Sequence, residues 1–310
     1  MSQKLVKAKI RGVEKTRQVT KAMEAVSAAR MRKAQERALT LRPYAVSALN
    51  MLVRLSADKE ALTHPLFQKH TNGVTLIVVF TSDRGLAGNL NTAVLRKVMA
   101  HITEKKLTKE EVVFITLGKK ATEFFKKKGY QILHEEAGIP DTLPLEKFEA
   151  IATDVTLKFL SHIYKEVFLA YSNFLSTFSQ EGALHLLLPV QQSDIEGVVR
   201  GIAPIKGKYA DSFNNKDIAA SLSHTPYLFE PHVLNVLDQL LPYLVTLSLY
   251  HGALEGKASE HSARMVAMKS AGDKARDIKK DLTRTFNKVR QGAITREVSE
   301  IIGGIEALKI

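Results

Sequence analysis

The sequence predicts an α/β protein in which a long antiparallel coiled coil of N- and C-terminal helices carries a Rossmann-like α/β domain inserted between them. Three observations predict it. The last quarter of the 310-residue chain has no proline after Pro242, and its apolar residues recur mostly three or four apart, a stripe near a 3.5 period that suits a coiled-coil seam. The first stretch, Ser2 to about Ala57, is a second helical pattern holding only Pro43. Between the two, the period changes to short continuous apolar runs, each followed by a helical pattern, as in buried strands of an α/β sheet. The predicted boundaries are 1–60, 61–230 and 231–310.

The N-terminal helix has a stripe of Val6, Ile10, Val13, Thr20, Met23, Val26, Met31, Ala34, Ala38 and Leu41. Ala22, Ala25, Ala28 and Ala29 would let a partner helix approach closely. In the middle, Val74–Thr81 and Val112–Leu117 read as strands, Asn91–Lys106 and Lys119–Lys128 as helices, and Gln131–His134 as a short third strand after Gly129. A helix from Leu145 to about Tyr164 follows, then strands Val167–Phe174 and Ala183–Val190 joined near Gln180, Glu181 and Gly182. Gln191–His224 is polar and weakly periodic, a loop or exposed excursion, and Pro226–Pro231 is a short edge strand bounded by prolines.

From Val233 to Leu308 an unbroken helix would be roughly 110 Å long. Its stripe runs through Ala258, His261, Met265, Met268, Ala275, Ile278, Leu282, Phe286, Val289, Ile294, Val298, Ile301, Ile305 and Leu308. Lys279, Lys280, Asp281 and Arg284 on one side, and Asp273, Lys274, Arg276 and Asp277 on another, read as solvated positions. A rod with so narrow a stripe needs a partner, and the N-terminal helix is the natural antiparallel one.

Composition excludes several chemistries. With no cysteine there is no disulfide, thiolate catalysis or Cys-ligated metal site. The runs VTLIVVF and ALHLLLPV are too short to cross a bilayer, and no signal-peptide pattern opens the chain. The formal charge of +13 is uneven: residues 1–60 carry 14 Lys/Arg against 5 Asp/Glu, and residues 233–310 carry 12 against 9. A basic N-terminal helix suits nucleic acid, an anionic membrane surface or an acidic protein collar.

One turn invites chemistry, TSDRGLAGNLN at residues 81–91, where a strand passes into a helix. Gly85 and Gly88 with Arg84 could form an anion nest. The plainer reading is a tight turn in which the glycines supply positive φ while Asp83 and Asn89 satisfy backbone donors, and it is favoured. Neither G-x-G-x-x-G nor G-x-x-x-x-G-K-[ST] occurs. The ten histidines show no metal-ligand spacing, and His261 on the helical stripe suits a register-setting role. No catalytic residue, cofactor or metal site is expected.

Two blocks at opposite ends of the chain carry a resemblance. TRQVTKAMEAVSAARMRKAQ, with RPYA at 42–45 and HPLF at 64–67, and ASEHSARMVAMKSAGDKARD with FNKVRQGAITREVSEIIGG resemble the terminal helices of the gamma subunit family of F-type ATP synthases. The turn resembles that family's TSDRGLCGGLN, with Ala87 for the cysteine and Asn89 for a glycine. The resemblance implies a non-catalytic central-stalk rotor inside a hexamer of alpha and beta subunits, with the α/β domain against the epsilon subunit and the membrane c-ring. It implies partner contacts at Met23, Arg290, Gln291 and Thr295. The implied location is the cytoplasmic face of a bacterial cell membrane, as a peripheral protein. The rival is a coiled-coil nucleic-acid-binding protein. It is weakened because Tyr44 is the only aromatic residue in the first sixty, so stacking platforms are missing.

Overall fold

The run after Gly73 becomes a central strand because both of its faces are covered. In the computed structural model, which describes residues 2–55, 60–190 and 232–307, β1 (Val74–Phe80) pairs in parallel with β2 (Val112–Leu117) on one side and β4 (Tyr164–Ser176) on the other. β3 (Gln131–Glu136) adds in parallel to β2, and β5 (Ser179–Leu188) adds antiparallel to β4, giving the order β3-β2-β1-β4-β5. Alternation sorts each strand: Leu76, Val78 and Phe80 enter one apolar cluster, and Ile77 and Val79 the other.

Helices cover both faces. On one side α2 (Leu90–Glu104) and α3 (Lys119–Lys128) bring Val94, Val98, Ala121 and Phe125. On the other, α4 (Leu145–Leu160) brings Phe148, Ala152, Val155 and Phe159, and the first part of α5 (Val233–Ala307) brings Leu237, Leu241, Val245 and Leu249. A buried side chain of this size contributes about 1.5–3 kcal/mol, so the four fully buried residues Leu76, Ile77, Val78 and Val79 put on the order of 10 kcal/mol into β1 before chain entropy is subtracted. α5 also holds a window apolar and long enough to cross a bilayer by length and composition alone. Leu237, Leu241, Val245 and Leu249 of that helix are spent on the sheet.

These elements belong to a unit spanning Ala28–Ala263, and a second unit joins Met1–Ser27 to Arg264–Ile310. α1 (Gln3–Leu55) and α5 each contribute to both, α1 continuing through Pro43 and α5 through Pro242. In the second unit the two helices run antiparallel, since Glu14 meets Lys279 and Thr20 lies against Gly272. Among the less exposed positions of this unit, Val6, Ile10, Val13, Arg17, Thr20, Glu24 and Ser27 of α1 and Met268, Gly272, Ala275, Lys279, Leu282, Phe286 and Val289 of α5 form a seam, with Glu14 and Met23 flanking it. Both series step by four and three, the coiled-coil period.

Several boundaries and stripe positions differ from expectation. α4 stops at Leu160 and Tyr164 begins β4, because His162 takes the left-handed conformation (φ 57°) that usually advertises itself as glycine. The hairpin turns at Thr177 and Phe178, while Gln180, Glu181 and Gly182 are paired within β5 opposite Phe174, Asn173 and Ser172. Gly182 is there for space: a Cβ would lie 2.7 Å from the Ala93 carbonyl oxygen of α2. Val26 and Ile278 are exposed, with Ser27 and Lys279 taking their places on the seam. The loop expected at 191–224 and the edge strand at 226–231 lie outside the described residues.

Candidate functional site

The helical pair is apolar at the end that holds Val6, Ile10, Val13, Leu282, Phe286 and Val289, and turns polar from Glu14 onward. Arg17 donates to Glu14 Oε1 at 2.8 Å, and Lys279 Nζ lies 2.9 Å from Glu14 Oε2. Arg17 and Lys279 together hold the Glu14 carboxyl down at about 2. One step further, Thr20 donates its hydroxyl to the Arg17 carbonyl, and a Cβ on Gly272 would meet its Oγ1 at 3.3 Å. Lys279, expected among solvated charges, is therefore a seam residue.

The residues expected to touch partners fall into two bands of this unit. Met23 is half-buried, whereas Arg290, Gln291 and Thr295 are exposed, with Thr295 Oγ1 donating to the Gln291 carbonyl at 3.0 Å. From the pairing of 14 with 279 and 20 with 272, Met23 lies level with about residue 269, so about 30 Å of helix separates the bands. From Gln291 to Ile305 every residue of α5 is exposed. Ile294, Val298, Ile301 and Ile305, each about half exposed, form one stripe at steps of four, three and four.

In the larger unit, the sheet order places its topological switch between β1 and β4, where open α/β folds bind ligands beyond the strand carboxyl ends. Here that crevice is occupied by the chain's own α5. Phe80, Ser82, Gly118 and Ser172 line it from the sheet side, and Ala253, Gly256, Lys257 and Glu260 line it from the helix. What is left is about 20 Å³, room for about one water.

The 81–91 turn spends its polar groups inward. Asp83 accepts from the Lys119 and Gly138 amides, each at 3.0 Å, and Asn91 accepts from the Ser82 amide at 2.9 Å. Asp83 thus plays the expected part, but Asn89 makes no side-chain cap bond. Positive φ occurs at Gly88 (58°) and at Leu86 (64°), not at Gly85. Gly118, which opens α3, has φ 111°, and a Cβ there would fall 1.9 Å from the Thr81 carbonyl oxygen.

A second charged cluster centres on Asp141. His261 Nε2 lies 3.2 Å from Oδ1, Lys257 Nζ 3.7 Å from the same oxygen, and Arg30 3.3 Å from Oδ2, while Arg37 donates to the Asp141 carbonyl. The His261 hydrogen bond, with Lys257 and Arg30 adding charge, holds this carboxyl at about 2. His261 is therefore a partner of Asp141 and not a coiled-coil register residue. Among the described residues no group of three or more His, Cys, Asp or Glu is placed to hold a metal ion.

The ATP synthase family model matches residues 2–308. The ATP synthase gamma chain of Pelotomaculum thermopropionicum is 35% identical over 98% of each chain, and that of Chloroflexus aurantiacus is 37% identical over 99% of each. This chain belongs to the ATP synthase gamma chain family. Among solved structures, a chain of the Euglena gracilis mitochondrial ATP synthase aligns with TM-score 0.61 at 19% identity, covering 99% of this chain and 94% of its own. A chain from the central stalk and c-ring of the Tetrahymena thermophila mitochondrial enzyme aligns with TM-score 0.55 at 21% identity, covering 82% and 99%. The gamma family displaces the nucleic-acid reading of the basic helix. Sequence reasoning passed over two features of this gamma-family chain. Counting sevens from Val6 through Val13 and Thr20 to Ser27 would have exposed the seam containing Arg17. No local signal marks Asp141, whose partners lie more than a hundred residues away in sequence.

Proposed function

We infer that this chain is the rotor of an F-type ATP synthase, the central-stalk subunit that couples rotation to ATP synthesis or hydrolysis without being the catalyst. The observation that carries this is a gamma-family match running from residue 2 to residue 308, so that neither the helical pair nor the sheet lies outside it. The filled switch crevice supports the non-catalytic part, since the place where such a sheet would take a nucleotide is packed with its own helix. Turning an asymmetric pair of helices presents a different face to each surrounding catalytic site in turn. The exposed stripe from Ile294 to Ile305 suits turning, because apolar contacts have no directional bonds to break.

The surrounding hexamer would be alpha and beta subunits, touched at Met23, Arg290, Gln291 and Thr295. The sheet unit would rest against the epsilon subunit and the c-ring, at the cytoplasmic face of a bacterial membrane. The test is to assemble the chain with alpha- and beta-type subunits and attach a visible probe to its sheet unit. ATP-driven rotation of the probe in one direction is expected. Hydrolysis by the assembly with a stationary probe would overturn the rotor reading.

A further inference from the structure

We infer that the open cleft between α1, the loop after β3 and α5 in the larger unit is a binding site for a phosphate-class anion. The cleft is about 190 Å³, and its lining includes Arg30, Lys33, Arg37, Lys257 and His261 around a single carboxylate, Asp141. The rotor reading makes no use of it, and the inference stands apart from that reading.

Donors outnumber acceptors here. Each guanidinium has five N–H donors, and the Asp141 cluster engages Arg30 at one carboxylate oxygen and Arg37 at one carbonyl. Lys33 is exposed and makes no hydrogen bond or ion pair with a described residue. His261 is only 3% exposed, and its Nδ1 is buried without a hydrogen-bond partner. With its Nε2 proton directed to the Asp141 carboxylate, His261 is already committed, and the donors left for an oxyanion are the guanidinium N–H groups of Arg30 and Arg37 and the Lys33 ammonium. The Asp141 carboxyl is held down at about 2, first by the His261 hydrogen bond and then by the Lys257 and Arg30 charges beside it.

Size and donor geometry select the ligand. The space, about 190 Å³, falls short of the roughly 300–1,000 Å³ of sites for drug-sized molecules and suits a single phosphoryl group. Arginine forks match the oxygens of a phosphate in pairs. Asp141 would compete with the ligand for the same donors, as like charge at short range.

The probe is inorganic phosphate added to the full-length chain, followed by equilibrium dialysis. One saturable site per chain is expected, weakened about tenfold or more in Lys33→Gln and tightened by about tenfold in Asp141→Asn, where the competing charge is gone. Circular dichroism of each variant reports folding. If Asp141→Asn unfolds, Lys33→Gln carries the test, because its side chain has no described partner to lose. A second arm uses vesicles of phosphatidic acid against phosphatidylcholine. Sedimentation with phosphatidic acid alone, abolished by Lys33→Gln, would assign the phosphate to a lipid headgroup, and dialysis binding without sedimentation assigns it to the free ion. No saturable binding in either arm, or binding that Lys33→Gln leaves unchanged, overturns the site.

Discussion

Lys279 and Glu14 face each other across the helical pair at 2.9 Å, and Arg17 donates to both oxygens of the same carboxylate, at 2.8 and 3.3 Å. Glu14 is thereby lowered from its ordinary 4.5 to about 2. A carboxylate held low in the folded state stabilises the fold at every pH above its unfolded value, and that contribution is lost as the pH falls through the folded one. Melting temperatures of the parent and of Glu14→Gln should therefore differ most above pH 4.5 and converge by about pH 2. A gap that stays constant across that window would show that the charge of Glu14 does not contribute.

Two glycines with positive φ should respond very differently to alanine. At Gly118 the new Cβ would sit 1.9 Å from a backbone oxygen that belongs to the chain leaving β1, so Gly118→Ala should cost more than about 4 kcal/mol in denaturant titration. At Gly88 the space is open, and only the left-handed backbone is penalised, by about 1–2 kcal/mol. Equal costs would mean that conformation and not the Thr81 contact governs both.

Arg290 and Gln291 are exposed on a helix, so replacing both with alanine should leave the melting of the isolated chain unchanged within about 0.5 kcal/mol. In the assembled hexamer the same double variant should change the ATP hydrolysis rate by about tenfold, if each side chain gives up a charge-assisted hydrogen bond of about 1.5–3 kcal/mol made in only some rotary states. Hydrolysis equal to the parent's would make them ordinary solvated residues.

Met23→Lys adds a cation to a half-buried position on the basic helix. The expected outcome is assembly at the parental level with fewer ions pumped per ATP hydrolysed, because the lysine forms a contact with acidic groups of the surrounding collar. Measuring pumping and hydrolysis on the same vesicles decides it, and an unchanged ratio would remove Met23 from the contact surface.

What the sequence disclosed follows from the range of the interactions involved. β1 and β2 were legible because a strand buried on both faces is nearly continuously apolar, and Val74–Phe80 and Val112–Leu117 hold only Thr75 and Thr116 as exceptions. The coiled coil was legible as a period but not as a list: Thr20 was found, but Arg17, Gly272 and Lys279 occupy seam positions that a search for apolar residues skips. The end of α4 was hidden because His162 adopts a backbone normally left to glycine. The Asp141 cluster was invisible, since Arg30, Arg37, Lys257 and His261 converge only once the whole unit has folded. The contacts expected at Met23, Arg290, Gln291 and Thr295 came from resemblance alone, since a half-buried methionine and three exposed polar residues on long helices carry no local signal of a partner.

The seam's central ion pair also restricts sliding of one helix along the other. A shift of one heptad keeps the apolar stripes matched, so packing alone would not forbid it. Glu14 has Lys7 seven residues before it and Lys21 seven residues after it. Either shift would set the Lys279 ammonium opposite another ammonium, turning an attraction into a repulsion. The pair behaves as a keyed shaft, locked against axial slip in both directions by one glutamate between two lysines.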